Sequence, residues 1–285
     1  MMKRKMDPAL EKHLKKCQKA ALEAALKAGT FLKSKYGKFK NLDRKADRSL
    51  VTEADRGAEK IVVKHLRKYF PHDEIMGEES GLFTGSKKAI ARDLSSPKRL
   101  GSFRWHIDPL DGTTNFVHGF PMFCVSIGLE FENTELVMGV IHNPIYKDTF
   151  TAYKSGGALR NGKPIHVSKN HVVKDAMLTT GFSYRRDAFY ERELQSFSRV
   201  LRESRAIRRV GSAAMDLALV SCGQFDGFWE RALSSWDVAG GICILREAGG
   251  MVTKLDGSPY RLGDETILAT NGKIHHPMIA LLKST

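Results

Sequence analysis

Trp105-His106-Ile107-Asp108-Pro109-Leu110-Asp111-Gly112-Thr113-Thr114-Asn115-Phe116 decides how this chain is read. Its first three residues form a short strand that delivers Asp108 to its end. Pro109 restricts the backbone between the two aspartates. Gly112 permits a tight turn, and the hydroxyl residues Thr113 and Thr114 open a helix. Asp108 and Asp111 offer carboxylate oxygens suited to hard cations, and the Leu110 carbonyl can add another. The amides of Gly112 to Thr114 can receive a phosphate at the helix start. An Asp-Gly turn with a helix cap explains Asp111-Gly112 alone. It does not require a second aspartate with proline between.

Outward from this string, helices and strands alternate. Asp7-Pro8 predicts a helix start. Leu10, Leu14, Cys17, Ala21 and Ala25 then recur at helical spacing towards Gly37. Thr52 and Asp55 have capping-box spacing and begin a second helix. Its inner face is Ile61, His65, Leu66 and Tyr69, and Pro71 stops it. Ile75-Met76 is a short strand leading to Gly77-Glu78-Glu79-Ser80, and residues 82–103 read as a long loop. Cys124–Phe131 and Leu136–Ile141 are predicted to form a hairpin, followed by a strand at Thr149–Tyr153. Beyond His171 come a strand at Met177–Thr180 and helices at Ala188–Arg202 and Ser212–Val220. A strand at Phe225–Trp229 follows, then a helix at Val238–Glu247 closed by Gly249-Gly250. Strands at Val252-Thr253 and Ile267–Ala269 and a helix at His276–Leu282 complete the chain. This order implies α/β (α+β) layers, not a bundle or barrel.

The 285 residues carry a net charge of +14. Residues 1–48 hold 15 Lys or Arg against 5 Asp or Glu, so +10 resides there. A solvated helix face accounts for this. Nucleic acid is the alternative partner, although no aromatics are interleaved for base stacking. Cys17, Cys124, Cys222 and Cys243 are scattered, which argues against a disulfide framework or zinc site. No apolar run approaches the roughly 18 residues that span a membrane, and no apolar segment follows the basic start. The expectation is a cytoplasmic protein without a signal peptide. Phosphate-binding GxxxxGK[ST], dinucleotide GxGxxG and serine-hydrolase GxSxG strings are all missing from the sequence.

Three further acidic positions are ambiguous singly. Glu78-Glu79 reads alone as a solvated loop, Asp237 as a helix-start residue, and Asp55 as a capping-box member. Together with Asp108 and Asp111 they supply enough acid for two or three divalent ions. The motifs now resemble the inositol monophosphatase family, within the lithium-sensitive, magnesium-dependent sugar phosphatases. The resemblance rests on Gly77-Glu78-Glu79-Ser80, on Asp108 to Phe116 with Val117-His118-Gly119-Phe120-Pro121, and on Trp236-Asp237-Val238-Ala239-Gly240 with Glu247-Ala248-Gly249-Gly250. It runs from about Asp7 to the C-terminus.

The resemblance implies a layered α-β-α-β-α sandwich of the inositol monophosphatase and fructose-1,6-bisphosphatase type. Residues 1–170 would be an N-terminal α+β half carrying most metal ligands. Residues 171–285 would be a C-terminal α/β half carrying Asp237 and the substrate pocket, the two forming one compact unit. Glu78, Asp108, Leu110 (by its carbonyl), Asp111 and Asp237 would bind two to three Mg2+ ions. Thr113, backed by Asp55, would orient the attacking water, with Glu78 supporting a third ion through water. Gly112 and Thr113 would hold the phosphate. Ser183, Gly211, Ser212, Ala213 and Glu230 would face the polyol. A lysine expected upstream of Asp55 leaves Arg44 and Lys45 in competition. The activity implied is hydrolysis of myo-inositol 1-phosphate, with fructose 1,6-bisphosphate, histidinol phosphate and 3′-phosphoadenosine 5′-phosphate as alternatives. Lithium sensitivity and a homodimer are implied too, and an added RNA- or protein-binding role is the alternative of another class. His106 departs from the family, which usually has Ile or Val there, and reads as a packed strand residue.

Overall fold

In the computed structural model, residues 6–38, 42–44, 50–83, 100–182 and 188–283 are described. Lys45, Ser183 and residues 84–99 of the expected loop lie outside them. Asp7 caps helix α1 (Pro8–Lys35) by accepting from the Ala9 amide at 2.8 Å. The buried face of α1 is a run of small residues, Ala20, Ala21, Ala24, Ala25, Ala28 and Gly29, which lets the helix lie close on a sheet. Strands β1 (Leu42–Arg44) and β2 (Leu50–Thr52) pair antiparallel before helix α2 (Glu53–Tyr69). The predicted capping box is present, with Thr52 as cap and Asp55 accepting from its amide at 2.7 Å. The inner face of α2 runs through Ala54, Ala58, Val62, His65 and Leu66. Tyr69, expected inside, is exposed.

Eight strands follow: β3 (Glu74–Gly77), β4 (Gly81–Phe83), β5 (Phe103–Asp111), β6 (Cys124–Phe131), β7 (Glu135–Asn143), β8 (Asp148–Tyr153), β9 (Gly157–Arg160) and β10 (Lys163–Pro164). They form one sheet in the order β10-β9-β8-β7-β6-β5-β3-β4, antiparallel except where β3 runs beside β5. Helix α3 (Thr113–Val117) leaves the end of β5. The second half contributes β11 (Met177–Thr180), α4 (Ala188–Glu203), β12 (Ala206–Arg208), α5 (Ala213–Ser221), β13 (Gly227–Arg231), α6 (Ser235–Glu247), β14 (Met251–Thr253), β15 (Thr266–Thr270) and α7 (His275–Leu282). Its sheet has the order β12-β11-β13-β15-β14, and β11 is parallel to both neighbours.

Three buried clusters fill three interfaces. The first packs α1 and α2 on the large sheet through Leu14, Leu32, Val62, Trp105 and Ile127. The second joins that sheet's other face, helices α5 and α6, and the small sheet through Phe150, Leu217, Phe228, Val238 and Ile242. The third packs α4 and α7 on the outer face of the small sheet through Val200, Trp229, Leu268 and Met278. The layers therefore alternate α-β-α-β-α, as expected.

Where the strands differ from expectation, local chemistry explains it. Leu82 and Phe83, expected in a loop, belong to β4, because Gly81 takes a positive φ of 69° and turns that strand back on β3. The strand expected to end at Ile107 continues to Asp111. Among the described residues no helix is long and apolar enough to cross a membrane.

His275 ties α7 to the small sheet. Its Nδ1 pairs with the Thr270 hydroxyl and its Nε2 with the Thr253 hydroxyl, each at 2.9 Å. Burial, with His276 adding to it, pushes its pKa down to about 4. The folded state thus binds a proton less readily than the unfolded state, whose histidine titrates near 6.5. This contribution to stability is complete above about pH 6.5 and is lost as pH falls through about 4. Replacing His275 with Gln should flatten the fall in urea midpoint between pH 6.5 and 4. An unchanged pH profile would refute the assignment.

Candidate active site

Strand β5 carries the site on an irregularity. Asp108 pairs with Ser126 but Asp111 with Cys124, so three steps on β5 face two on β6. Side chains alternate faces along a regular strand, so residues three apart point oppositely. The extra residue of the bulge cancels that alternation and lets both aspartates address one side. Pro109 lies within the irregular stretch, where it has no amide to contribute to the ladder. Asp108 accepts from the Leu110 amide at 2.9 Å, which fixes its carboxylate over the bulge.

Gly112 follows in left-handed backbone, with φ 94°. A Cβ there would meet the Met122 carbonyl at 2.9 Å and the Gly211 carbonyl at 3.3 Å, so both conformation and space demand glycine. Asn115 closes the turn, its amide donating to the carbonyls of Met122 at 2.6 Å and Val210 at 2.9 Å. That staple brings Gly211 to Ala213 beside Asp111. Asp111 in turn accepts from the Ser212 hydroxyl and the Ala214 amide, each at 2.7 Å. Ser212 is buried, caps α5 and stands behind Asp111.

Helix α6 brings Asp237. It lies against the large sheet at very close range: a Cβ on Gly128 would meet the Ala239 Cβ at 2.5 Å, and one on Gly240 the Ile127 carbonyl at 3.0 Å. Asp237 accepts from the Ser234 amide at 2.7 Å in a capping box. His106, expected as a packed strand residue, is buried and polar-bonded. Its Nδ1 pairs with the Ser235 hydroxyl at 2.9 Å and its Nε2 with Glu130 at 3.2 Å, tying β5 to the first turn of α6.

Asp108 feels the charges of Glu78, Asp111 and Asp237 around it. Burial, then Glu78, Asp111 and Asp237, push its pKa well above the usual carboxylate range. Asp237 is raised likewise by burial, Asp111 and Glu78. Burial lifts Asp111 to about 6, against the opposing hydrogen bonds from Ser212 and Ala214. Among the described residues no three acidic, cysteine or histidine side chains already surround one point.

Beside them stands a hydroxyl couple. The Thr113 hydroxyl is placed to donate to Asp55 at 3.0 Å or to the Leu110 carbonyl at 3.1 Å. Asp55 is buried and also accepts from the Thr52 hydroxyl at 2.6 Å. Burial raises it to about 6, so it is largely ionised at pH 7. Glu230 lies on β13 with its carboxylate against Gly181, and its pKa is pushed well up by burial and Asp216.

Three further residues, Arg209, Asp216 and Glu59, stand around these acids. Arg209 lies against Gly211, and its charge opposes the upward shifts of Asp111 and Glu230. Asp216 is fully buried and donated to by the Thr179 hydroxyl at 2.6 Å. Neither carries a sequence signal beyond its neighbourhood of Gly211-Ser212-Ala213. Glu59 does carry one, since it is four residues beyond Asp55 on a helix.

Comparison with known proteins adds to this geometry. The model of the inositol monophosphatase family matches residues 13–284. An inositol-1-monophosphatase of Synechocystis is 42% identical over 93% of this chain and 88% of its own. A Nus factor SuhB of Pseudomonas aeruginosa is 36% identical over 92% and 94% respectively. The crystal structure of the extragenic suppressor protein SuhB from Bartonella henselae superposes with a TM-score of 0.84 at 38% identity, covering 93% of this chain and 97% of that one.

Proposed function

This chain belongs to the inositol monophosphatase family, and from that premise we propose that it hydrolyses myo-inositol 1-phosphate to inositol and phosphate with Mg2+ as cofactor. Membership makes it a phosphoric monoester hydrolase. The observation that carries the reading is the bulge that presents Asp108 and Asp111 on one side, beside the Thr113–Asp55 couple, with Glu78 and Asp237 near enough for their charges to act on Asp108. Like charges buried together at such cost call for a cation.

Glu78, Asp108, Asp111, Asp237 and the Leu110 carbonyl would hold two to three Mg2+ ions, an all-oxygen donor set suited to a hard ion. When bound, Mg2+ neutralises the phosphate oxygens, lowers the pKa of water and stabilises the departing alkoxide. The chain's own residues do the rest. The Thr113 oxygen, with its proton committed to Asp55 or to Leu110, presents lone pairs to an incoming water and aims it. Asp55, ionised at neutral pH, can take up a proton through that hydroxyl. The amides of Gly112 and Thr113 face the phosphate from the turn. Glu230 offers acceptor oxygens to polyol hydroxyls, with Gly211 and Ala213 along the same wall. Ser183 is assigned to that wall by resemblance alone. Sensitivity to lithium and assembly as a homodimer belong to the same proposal.

The test is phosphate release with Mg2+ from inositol 1-phosphate, fructose 1,6-bisphosphate, histidinol phosphate and 3′-phosphoadenosine 5′-phosphate. Inositol 1-phosphate should lead in kcat/KM by about tenfold or more, a margin of about 1.4 kcal/mol in transition-state binding. Another substrate leading by that margin would replace it as the assignment.

A second, additional role has its own support. Lys12, Lys15, Lys16, Lys19, Lys33 and Lys35 are exposed along α1, a face suited to a polyanion such as RNA. Binding there should survive loss of the acidic site and weaken steeply with salt.

A further inference from the structure

Helix α2 holds two carboxylates one turn apart, Asp55 and Glu59, which are 1% and 4% exposed. Residues i and i+4 share a helix face. Asp55 reaches forward to the Thr113 hydroxyl. Glu59 reaches the loop after β3: its Oε2 accepts from the Glu79 amide at 2.9 Å, and its Oε1 accepts from the Ser80 hydroxyl. Its carboxylate fills the space over Gly77, where a Cβ would meet it at 2.5 Å. The segment so gripped, Gly77 to Ser80, is the one that carries Glu78. A second hold comes from β5, whose Ile107 carbonyl accepts from the Glu78 amide at 3.1 Å.

We propose that Glu59 is a positioning residue, which pins the Gly77–Ser80 loop so that Glu78 stands at a set place relative to Asp108 and Thr113. A buried carboxylate on a surface helix of a phosphatase invites a catalytic role, but both oxygens of Glu59 are engaged with protein donors. Its action is transmitted through backbone. Helix α2 then serves as a bar with two attachment points, one for the hydroxyl that aims water and one for a cation-binding carboxylate. A change in the angle of α2 would move both together.

This inference rests on the magnesium reading above, and its test separates the two. Melting temperature is followed across a Mg2+ titration, without substrate, for the unaltered protein and for Glu59→Ala, Glu59→Gln and Ser80→Ala, with phosphate release measured in parallel. Glutamine keeps an acceptor for the Glu79 amide and offers its NH2 to the Ser80 oxygen, so its half-saturating Mg2+ should stay within about threefold. Alanine loses both bonds and should raise half-saturation by about tenfold or more, the range found for residues that orient metal ligands. Ser80→Ala removes one bond from the loop side, leaves α2 untouched, and should shift half-saturation in the same direction by a smaller factor. The metal-free melt reads folding separately. If Glu59→Ala is too unstable to titrate, Ser80→Ala decides. Equal half-saturation in every variant overturns the inference alone. Absence of any Mg2+ response in the unaltered protein overturns both it and the functional reading.

Discussion

Replacing Asp108 with Asn should lower phosphate release by about a thousandfold or more, roughly 4 kcal/mol of transition-state stabilisation, while the protein stays folded. Asp108 is the acid on which the charges of Glu78, Asp111 and Asp237 all act, so its charge serves whichever cation its neighbours hold. Asparagine has the same shape and can still accept from the Leu110 amide, the bond that seats Asp108 on its bulge. It removes one of several buried like charges. The metal-free variant should therefore melt no lower than the unaltered protein, and relief of repulsion should raise its melting temperature. Inactivity combined with an intact melt identifies lost chemistry, not lost structure. Full turnover by this variant would refute the role given to Asp108. Its salt-sensitive binding to RNA, if α1 provides it, should be unaffected.

The second large effect is a pH-dependent stabilisation by Mg2+. Asp108, Asp111 and Asp237 all hold protons more tightly folded than unfolded. For such groups the stabilising contribution is complete below the unfolded value near 3.8 and is lost as pH rises through the folded one. For Asp111 that is about 6, a rise of about two units and so about 3 kcal/mol at most, given about 1.4 kcal/mol per unit. Above pH 6 the metal-free protein carries this electrostatic cost in full, and a divalent cation relieves it. Saturating Mg2+ should raise the melting temperature far more at pH 8 than at pH 5, by roughly 5 °C or more in a domain of this size. His275 acts with the opposite sign between pH 6.5 and 4, so the comparison is best made between the two metal states at each pH. Equal shifts at pH 5 and pH 8 would refute the coupled acidic centre.

Much of the site is legible in the sequence because its chemistry is contiguous. Asp108 to Asp111, Glu78 in its Gly-Glu-Glu-Ser string and Trp236-Asp237 can be recognised as short words. Helices α1, α2 and α6 announce themselves by caps and periodicity, and the capping box at Thr52 and Asp55 is present as predicted. The layering came by resemblance, since periodicity names elements and not their stacking. What escaped depends on contacts distant in sequence. β12 is three residues long and partly exposed, and β9 is four residues, too short to signal. Glu59 shares a helix face with Asp55, which the sequence shows, but its partners Glu79 and Ser80 become visible only in the fold. His106 looked like a packing residue, and Ser235, 129 positions away, supplies its partner.

The bulge in β5 has a consequence for how this chain can vary. Asp108 and Asp111 face one side because three steps on β5 meet two on its neighbour. The site therefore depends on a count as well as on identities. A substitution at Pro109 or Leu110 alters how well the extra residue fits, but both aspartates keep their bearing. Removing one residue between them would leave Asp111 opposite Cys124 with two steps facing two, but would take away the bulge in which the Leu110 amide donates to Asp108. The segment is tolerant in composition and rigid in length.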